Sequence, residues 1–234
     1  MLDTYKFIEK YKRISIIGME KNVGKTTLLN KLIADIGKNK KLGLTSIGRD
    51  GEDIDVVTNT DKPRIYVRKG SIIATGRDCL SKCDITKEIL YVTNFTTPMG
   101  SIVLVRALSD GYVDIAGPSY NKQVKIIVEL MEKFGSEISI VDGALGRKST
   151  AISDVSEATI LSTGAALSLD MLKVVEETQK TVYFLRLEEI DSEIKEKIKE
   201  FKDEKAALFY KNGEVVILEV DNSIDLSNIL KEYL

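Results

Sequence analysis

The sequence contains no histidine among its 234 residues. This absence excludes a Ser-His-Asp triad, a Cys-His pair and any metal site built from histidine. A general acid or base must then be an Asp, Glu, Lys or Tyr side chain, or a water molecule bound to a metal ion.

Cysteine is almost as scarce, since the chain has only Cys79 and Cys83. Two cysteines, together with an N-terminal stretch too charged for a secretory signal, predict a cytoplasmic protein. Two thiols spaced C-x-x-x-C do not complete a tetrahedral site alone, although a symmetric dimer would supply four for zinc or an iron–sulfur cluster. We favour the alternative, a pair of partly buried thiols.

Long apolar runs and long blocks of like charge are also missing, and the formal net charge is −2. We therefore predict neither a membrane span nor a nucleic-acid-binding arm. The composition, 43% hydrophobic and 30% charged, is that of an ordinary globular protein. The length suits a single domain covering residues 1–234.

Strand and helix patterns alternate along most of the chain, which predicts an α/β fold with a mostly parallel sheet flanked by helices. The predicted strands are 13–18, 42–48, 137–142, 158–163 and 181–187. One predicted helix begins at Lys25, and the others cover 120–134, 165–179, 191–202 and the C-terminal residues around Leu226 to Tyr233. A further hairpin is predicted to turn at Asn212-Gly213.

Residues 62–118 depart from this alternation. The stretches 64–76 and 100–118 each have the pattern of a strand, a turn and a strand, the second around Asp110-Gly111. We therefore predict an antiparallel β-hairpin insertion in the parallel fold.

The stretch "IIGMEKNVGKTTLLN" (16–30) joins a predicted strand to a predicted helix. Gly24 follows Gly18 by six positions, and Lys25 and Thr26 come next. We interpret "GMEKNVGKT" as a phosphate-binding loop of the G-x-x-x-x-G-K-[ST] type, because such a loop lies between a strand and a helix. The alternative is a glycine turn followed by a surface lysine.

In a loop of this type, successive N–H groups and the helix N-terminus surround the β-phosphate. Lys25 is expected to contact the β- and γ-phosphates, Thr26 to ligate Mg²⁺ and Thr27 to approach the α-phosphate. Lys21 either reaches a phosphate across a dimer or is a solvated lysine, which we favour. The predicted nucleotide-binding residues are Gly18, Lys21, Asn22, Val23, Gly24, Lys25, Thr26 and Thr27.

A magnesium–nucleotide site also needs carboxylates. Asp142 ends a predicted buried strand, where a Walker B acid lies, and Gly146 follows it as in the D-x-x-x-G of a switch. Asp50 ends the second predicted strand and is expected to orient the attacking water or hold a metal-bound one, unless it belongs to a solvated acidic turn. Glu52 and Asp53 are alternatives for the same role. Lys25, Asp50 and Asp142 are thus the predicted catalytic residues, and Thr26, Asp50 and Asp142 the predicted metal ligands.

These residues resemble P-loop NTPases of the SIMIBI group, which includes signal-recognition GTPases, MinD-like ATPases, dethiobiotin synthetase and metallocentre-maturation NTPases. The loop is similar to the G-x-K-N-x-G-K-T-T loop of the molybdopterin-guanine-dinucleotide accessory proteins. The resemblance covers residues 13–50 and 137–190 and leaves 62–118 unexplained. Met19 stands where we align the extra lysine of MinD-like members, and the guanine motif [NT]-K-x-D is missing.

The resemblance implies an NTPase that binds Mg²⁺ and ATP, with GTP not excluded, and that forms a homodimer around the nucleotide. It further implies hydrolysis coupled to a protein client, so that the chain acts as an accessory protein for an enzyme. Two alternatives stay open: an ATP-dependent small-molecule kinase or ligase similar to dethiobiotin synthetase, and a nucleotide-binding module without turnover.

Overall fold

The structure, a computed structural model, describes residues 8–48, 64–143, 155–187, 190–201, 204, 206–210 and 212–218. Internal contacts divide the chain into two compact units, residues 1–182 and 183–234, which are described separately below. No helix in the described ranges has the length and apolar character needed to cross a bilayer.

The first unit is organised around one seven-stranded sheet. Its strands, in chain order, are β1 (Arg13–Gly18), β2 (Leu42–Ser46), β4 (Ile72–Gly76), β5 (Lys87–Thr97), β6 (Gly100–Ala107), β8 (Ile138–Asp142) and β9 (Ala158–Ser162). Across the sheet the order is β5-β6-β4-β2-β8-β1-β9. The five adjacent strands β4, β2, β8, β1 and β9 run parallel to one another, whereas β6 is antiparallel to both of its neighbours, β4 and β5. The predicted α/β fold with a mostly parallel sheet is confirmed.

Helices cover both faces of this sheet. Adjacent strand residues alternate between two hydrophobic clusters: Ile73 and Ile140 lie in one, Ile72 and Val141 in the other. Because successive strand residues point to opposite faces, the two clusters are the two sides of the sheet. Helix α1 (Lys25–Ile36) buries Leu29, Leu32, Ile33 and Ile36 in the first cluster, and α2 (Asn121–Lys133) buries Val124, Ile127, Val128 and Met131 in the second.

The predicted hairpins of the insertion are wrong in their pairing. β4 belongs to the main sheet, where it pairs in parallel with β2 and antiparallel with β6. Two short strands, β3 (Ile65–Val67) and β7 (Gly111–Val113), pair with each other in a separate sheet. The 11-residue strand β5 was not predicted. The insertion contains antiparallel pairs as expected, but its hairpin joins β5 to β6, with Thr97 opposite Gly100, whereas β3, β4 and β7 pair with strands farther along the chain.

A further difference from the prediction concerns residues 181–187, which the sequence predicts as a strand. In the structure they largely continue α3, which runs from Met171 to Leu185. Leu169, Met171 and Leu172 are 99%, 74% and 73% exposed, and α3 has no buried residue. The apolar "TVYFL" pattern therefore did not distinguish a buried strand from a helix end.

The second unit contains α4 (Ser192–Glu200) and the strands β10 (Ala207–Phe209) and β11 (Val215–Ile217). β10 and β11 form an antiparallel pair, and Gly213 in their turn has a φ of 90°. The predicted hairpin at Asn212-Gly213 is thus confirmed. The predicted C-terminal helix lies outside the described residues.

A buried segment, residues 114–118, connects the insertion to the carboxyl ends of β4 and β2. The Thr75 hydroxyl donates to the Asp114 carbonyl at 3.1 Å and accepts from the N–H of Ala116 at 2.9 Å. The N–H of Gly117 donates to the Ser46 hydroxyl at 2.9 Å. A Cβ atom on Gly117 would lie 1.8 Å from the Ser46 carbonyl oxygen, so only glycine allows this close approach.

We predict that Gly117→Ala destabilises the protein by about 1–3 kcal/mol or more, because the added methyl group forces the segment off β2. Gly164→Ala is the control, since a Cβ there meets nothing within 4 Å. Urea unfolding measures both variants. Equal midpoints for Gly117→Ala and Gly164→Ala would contradict the packing described here.

Candidate functional site

The candidate site lies where β1 ends and α1 begins. β1 ends at Gly18, α1 starts at Lys25, and the intervening residues Glu20, Lys21 and Asn22 are exposed. We refer to residues 18–25 as the lysine loop. The N–H of Met19 donates to the Ser162 carbonyl at 2.9 Å, which continues the parallel pairing of β1 with β9 into the start of the loop.

Two residues of the lysine loop adopt left-handed backbone conformations. Asn22 has a φ of 59°, and Gly24, the N-cap of α1, has a φ of 86° and a ψ of 14°. Asparagine and glycine are the residues that tolerate this region best. Left-handed residues in a turn make successive N–H groups converge, and the first N–H groups of a helix also favour an anion. The loop thus combines left-handed residues with a helix N-terminus, as many anion-binding loops do.

The Lys25 side chain folds back over the loop. Its ammonium group donates to the Glu20 carbonyl at 2.9 Å. A Cβ atom on Gly18 would lie 2.6 Å from Lys25 Nζ and 2.7 Å from Val23 Cγ2. Gly18 therefore leaves room for the Lys25 and Val23 side chains.

Partial burial lowers the pKa of the Lys25 ammonium, and the negative charges of Asp142 and Glu20 oppose that shift. Both negative charges thus favour the protonated form of the lysine. By linkage, a lowered pKa destabilises the folded state, and this cost is fully present below the folded pKa, where the lysine is protonated in both states. The cost disappears as the pH rises from the folded pKa to the unfolded value. A bound anion would offset the same cost at neutral pH.

Asp142 is placed by the central strands. It ends β8, which lies between β1 and β2, and it is in register with Ile16 on one side and Ser46 on the other. Its carbonyl accepts from the N–H of Ile47 at 2.8 Å, and its Oδ1 atom is buried. The predicted position of Asp142, on a buried strand beside the loop strand, is confirmed.

The spacing of the loop requires a correction. Five residues, 19 to 23, separate Gly18 from Gly24, whereas the G-x-x-x-x-G-K-[ST] pattern has four. When Gly24-Lys25-Thr26 is aligned with that pattern, Met19 takes the place of its first glycine, and Gly18 precedes it. Glu20, and not Met19, then stands where the extra lysine of MinD-like members would be. The loop is therefore one residue longer between its glycines than the pattern, although the strand before it and the helix after it are as predicted.

Of the remaining predicted site residues, the structure describes some and not others. Thr26 and Thr27 lie in the first turn of α1, with Thr26 half-buried and Thr27 exposed. Lys21 is exposed, as expected for a solvated lysine. Asp50 and Gly146 lie outside the described residues. In the ranges that the structure does describe, no three Asp, Glu or Cys side chains gather as a metal site.

Sequence reasoning missed Glu20. Its carbonyl receives the Lys25 ammonium, and its carboxylate Oε1 accepts from the N–H of Lys21 at 2.9 Å. The signal in the sequence that could have identified Glu20 is an acidic residue inside a loop predicted to bind phosphate.

The two cysteines do not form a disulfide. The Cys83 thiol donates to the Cys79 carbonyl at 3.2 Å, Cys79 is 3% exposed, and burial raises the pKa of the Cys83 thiol. Metal binding requires thiolates, which a raised pKa disfavours. The contacts support the interpretation as buried thiols.

The chain matches no protein-family model, no curated protein and no solved structure. The resemblance to the SIMIBI group therefore stays a prediction. The candidate site is defined by its own residues: the lysine loop, the N-terminus of α1 and Asp142 on the adjacent strand.

We predict that Gly18→Ala lowers stability by about 1–3 kcal/mol, because the new methyl group overlaps Val23 and the folded-back Lys25. Val23→Ala removes one of these two contacts. The double variant should then lose less than the sum of the two single losses, since the sites are in direct contact. Urea unfolding of the four proteins in this cycle measures the coupling, and strictly additive losses would refute the contact.

Proposed function

We propose that the protein binds a magnesium–nucleoside triphosphate, ATP in preference to GTP, at the lysine loop. The observation that carries this proposal is the position of the Lys25 ammonium, which lies in an exposed loop at the N-terminus of α1 and is attracted electrostatically by Asp142. A cation, converging N–H groups and a carboxylate at the end of the next strand are the parts that a magnesium–phosphate complex needs.

Each residue has a distinct role in this proposal. The loop and the first turn of α1 donate N–H groups to the phosphates, and Lys25 neutralises the charge that they bring. The Thr26 hydroxyl and the Asp142 carboxylate would hold Mg²⁺, with Asp50 as the further acid that the sequence suggests. When bound, the metal ion would withdraw charge from the β,γ-bridge.

We further propose that the nucleotide is hydrolysed and that hydrolysis is coupled to a protein client, as the resemblance implies. The hydrogen bonds between the insertion and the strand ends of the sheet support this proposal of coupling. Residues 114–118 hydrogen-bond to Ser46, whose strand neighbour is Asp142, so the insertion and the candidate metal ligand contact the same strand end. A client bound to the insertion would therefore act close to the nucleotide.

The first test is nucleotide-dependent thermal stability. Mg-ATP at about one hundred times its Kd should raise the melting temperature by roughly 5–10 °C, because binding to the native state adds about 2.7 kcal/mol. Lys25→Ala should abolish this rise. Lys31→Ala is the matched control on the same helix, where Lys31 is 63% exposed and pairs with Asp35 at 2.7 Å.

A full rise in Lys25→Ala would refute the site. Equal rises with inorganic phosphate and with Mg-ATP would indicate an anion site without nucleotide recognition. Steady-state release of phosphate, measured alone and with candidate clients, separates a hydrolase from a binding module.

We also propose that the protein is a homodimer, and the exposed surface of α3 supports this. Met171, Val175 and Val182 recur at helical spacing on one side of α3, and Leu172 lies beside them; all four are at least 38% exposed. Exposed apolar side chains along one side of a helix are typical of a protein–protein contact. A second copy would bury it without any further component.

Leu172→Glu should convert the dimer to a monomer at micromolar concentration, because it places a charge in the apolar stripe. Lys173→Glu changes an exposed charge on the other side of the same helix and should leave the dimer intact. Light scattering coupled to size-exclusion chromatography gives the mass of each. A monomeric wild-type protein, with and without Mg-ATP, would refute the dimer.

A further inference from the structure

The lysine loop contains its own anion. The Glu20 carboxylate accepts a hydrogen bond from the N–H of Lys21, and the Glu20 carbonyl accepts one from the Lys25 ammonium, both at 2.9 Å. An N–H group and an ammonium group of the loop are therefore already directed at Glu20. These are the kinds of donor that a phosphate group would use.

The charge of Glu20 also acts on the cation of the loop, since it is one of the two carboxylates that favour the charged form of Lys25. The side chain is exposed, so it is free to move without disturbing the core. A polyphosphate entering the loop would meet this negative charge at short range. Repulsion between like charges a few ångströms apart weakens binding unless a counter-charge accompanies the ligand.

We propose that Glu20 is a specificity residue that makes binding at the lysine loop depend on Mg²⁺. In the unliganded protein its carboxylate competes with free anions for the N–H of Lys21. A magnesium-bound polyphosphate carries less net charge and is repelled less, so the loop selects it over metal-free nucleotide and over inorganic phosphate. This inference rests on the proposed function, because it concerns the ligand of the same loop.

The test compares affinities with and without the metal. Isothermal titration measures the Kd of ATP in Mg²⁺ and in EDTA, and of pyrophosphate in EDTA, for the wild type and for Glu20→Gln. Glutamine keeps the side-chain oxygen that accepts from Lys21 and removes only the charge. Glu129→Gln, which removes an exposed charge from α2, is the matched control.

Glu20→Gln should tighten metal-free ATP and pyrophosphate binding by about fivefold to tenfold, roughly the effect of one charge at this range near water. Mg-ATP binding should change by less than about twofold, so the ratio of the two Kd values falls. The gain should shrink at 0.5 M salt, because an exposed charge is screened. Glu129→Gln should show none of this.

The outcomes separate the two proposals. If the wild type binds Mg-ATP and Lys25→Ala does not, but the Kd ratio is the same in Glu20→Gln, the role of Glu20 is refuted and the proposed function stands. If Glu20→Gln bound Mg-ATP and metal-free ATP more tightly by the same factor, selection for the metal complex would also be refuted. If the wild type binds neither ATP nor pyrophosphate under any of these conditions, the proposed function fails and the inference fails with it.

Discussion

The parallel register of β1, β8 and β2 is the constraint on which the candidate site depends. Ile16, Asp142 and Ser46 are neighbours across these three strands, so the ends of all three reach the same edge of the sheet. The N–H of Gly143 donates to the Ile16 carbonyl at 2.9 Å and the N–H of Ile47 to the Asp142 carbonyl at 2.8 Å, which continues the pairing past the last strand residues. A slip of one residue would turn Asp142 to the other face. The burial of β1, β2 and β8 on both faces holds this register.

The lysine loop, which begins at the end of β1, holds the Lys25 ammonium partly buried, and this burial costs desolvation free energy. Lys25 is half-buried and its pKa is lowered, yet its ammonium group stays within the loop through the carbonyl of Glu20. Functional sites commonly hold such destabilising arrangements, because the energy is recovered when a ligand binds. The left-handed residues Asn22 and Gly24 add a local backbone constraint of the same kind. The loop thus carries two local costs in the free protein, and the proposed ligand would offset them.

The central strands and α1 could be predicted from sequence because their signals are local. "RISIIG" and "ISIVD" are short apolar runs next to turns, and Leu29, Leu32, Ile33 and Ile36 repeat with the period of a helix. The partners of β4 and β7 could not be predicted, because pairing between Ile72 and Arg106, or between Ile65 and Val113, is not encoded in any one stretch. A nearby turn such as Asp110-Gly111 favours a hairpin, but here the two strands beside it join different sheets. In the site, Asp142 was predictable from its strand, whereas the folded-back Lys25 and the bonds of Glu20 depend on loop conformation.

The insertion is better regarded as part of the sheet than as an attachment to it. β6 pairs with β4 over five residues, and the return segment 114–118 lies buried along the ends of β4 and β2. Gly117 approaches Ser46 so closely that no side chain fits between them, and Ser46 is paired with Asp142. A displacement of the insertion would therefore reach the end of β2, which lies next to the end of β8 that carries the candidate metal ligand Asp142, because packed interiors transmit strain. If a partner displaced the insertion on binding, the strand beside Asp142 would be displaced with it, and reciprocity then requires that a ligand held at Asp142 affect the binding of that partner.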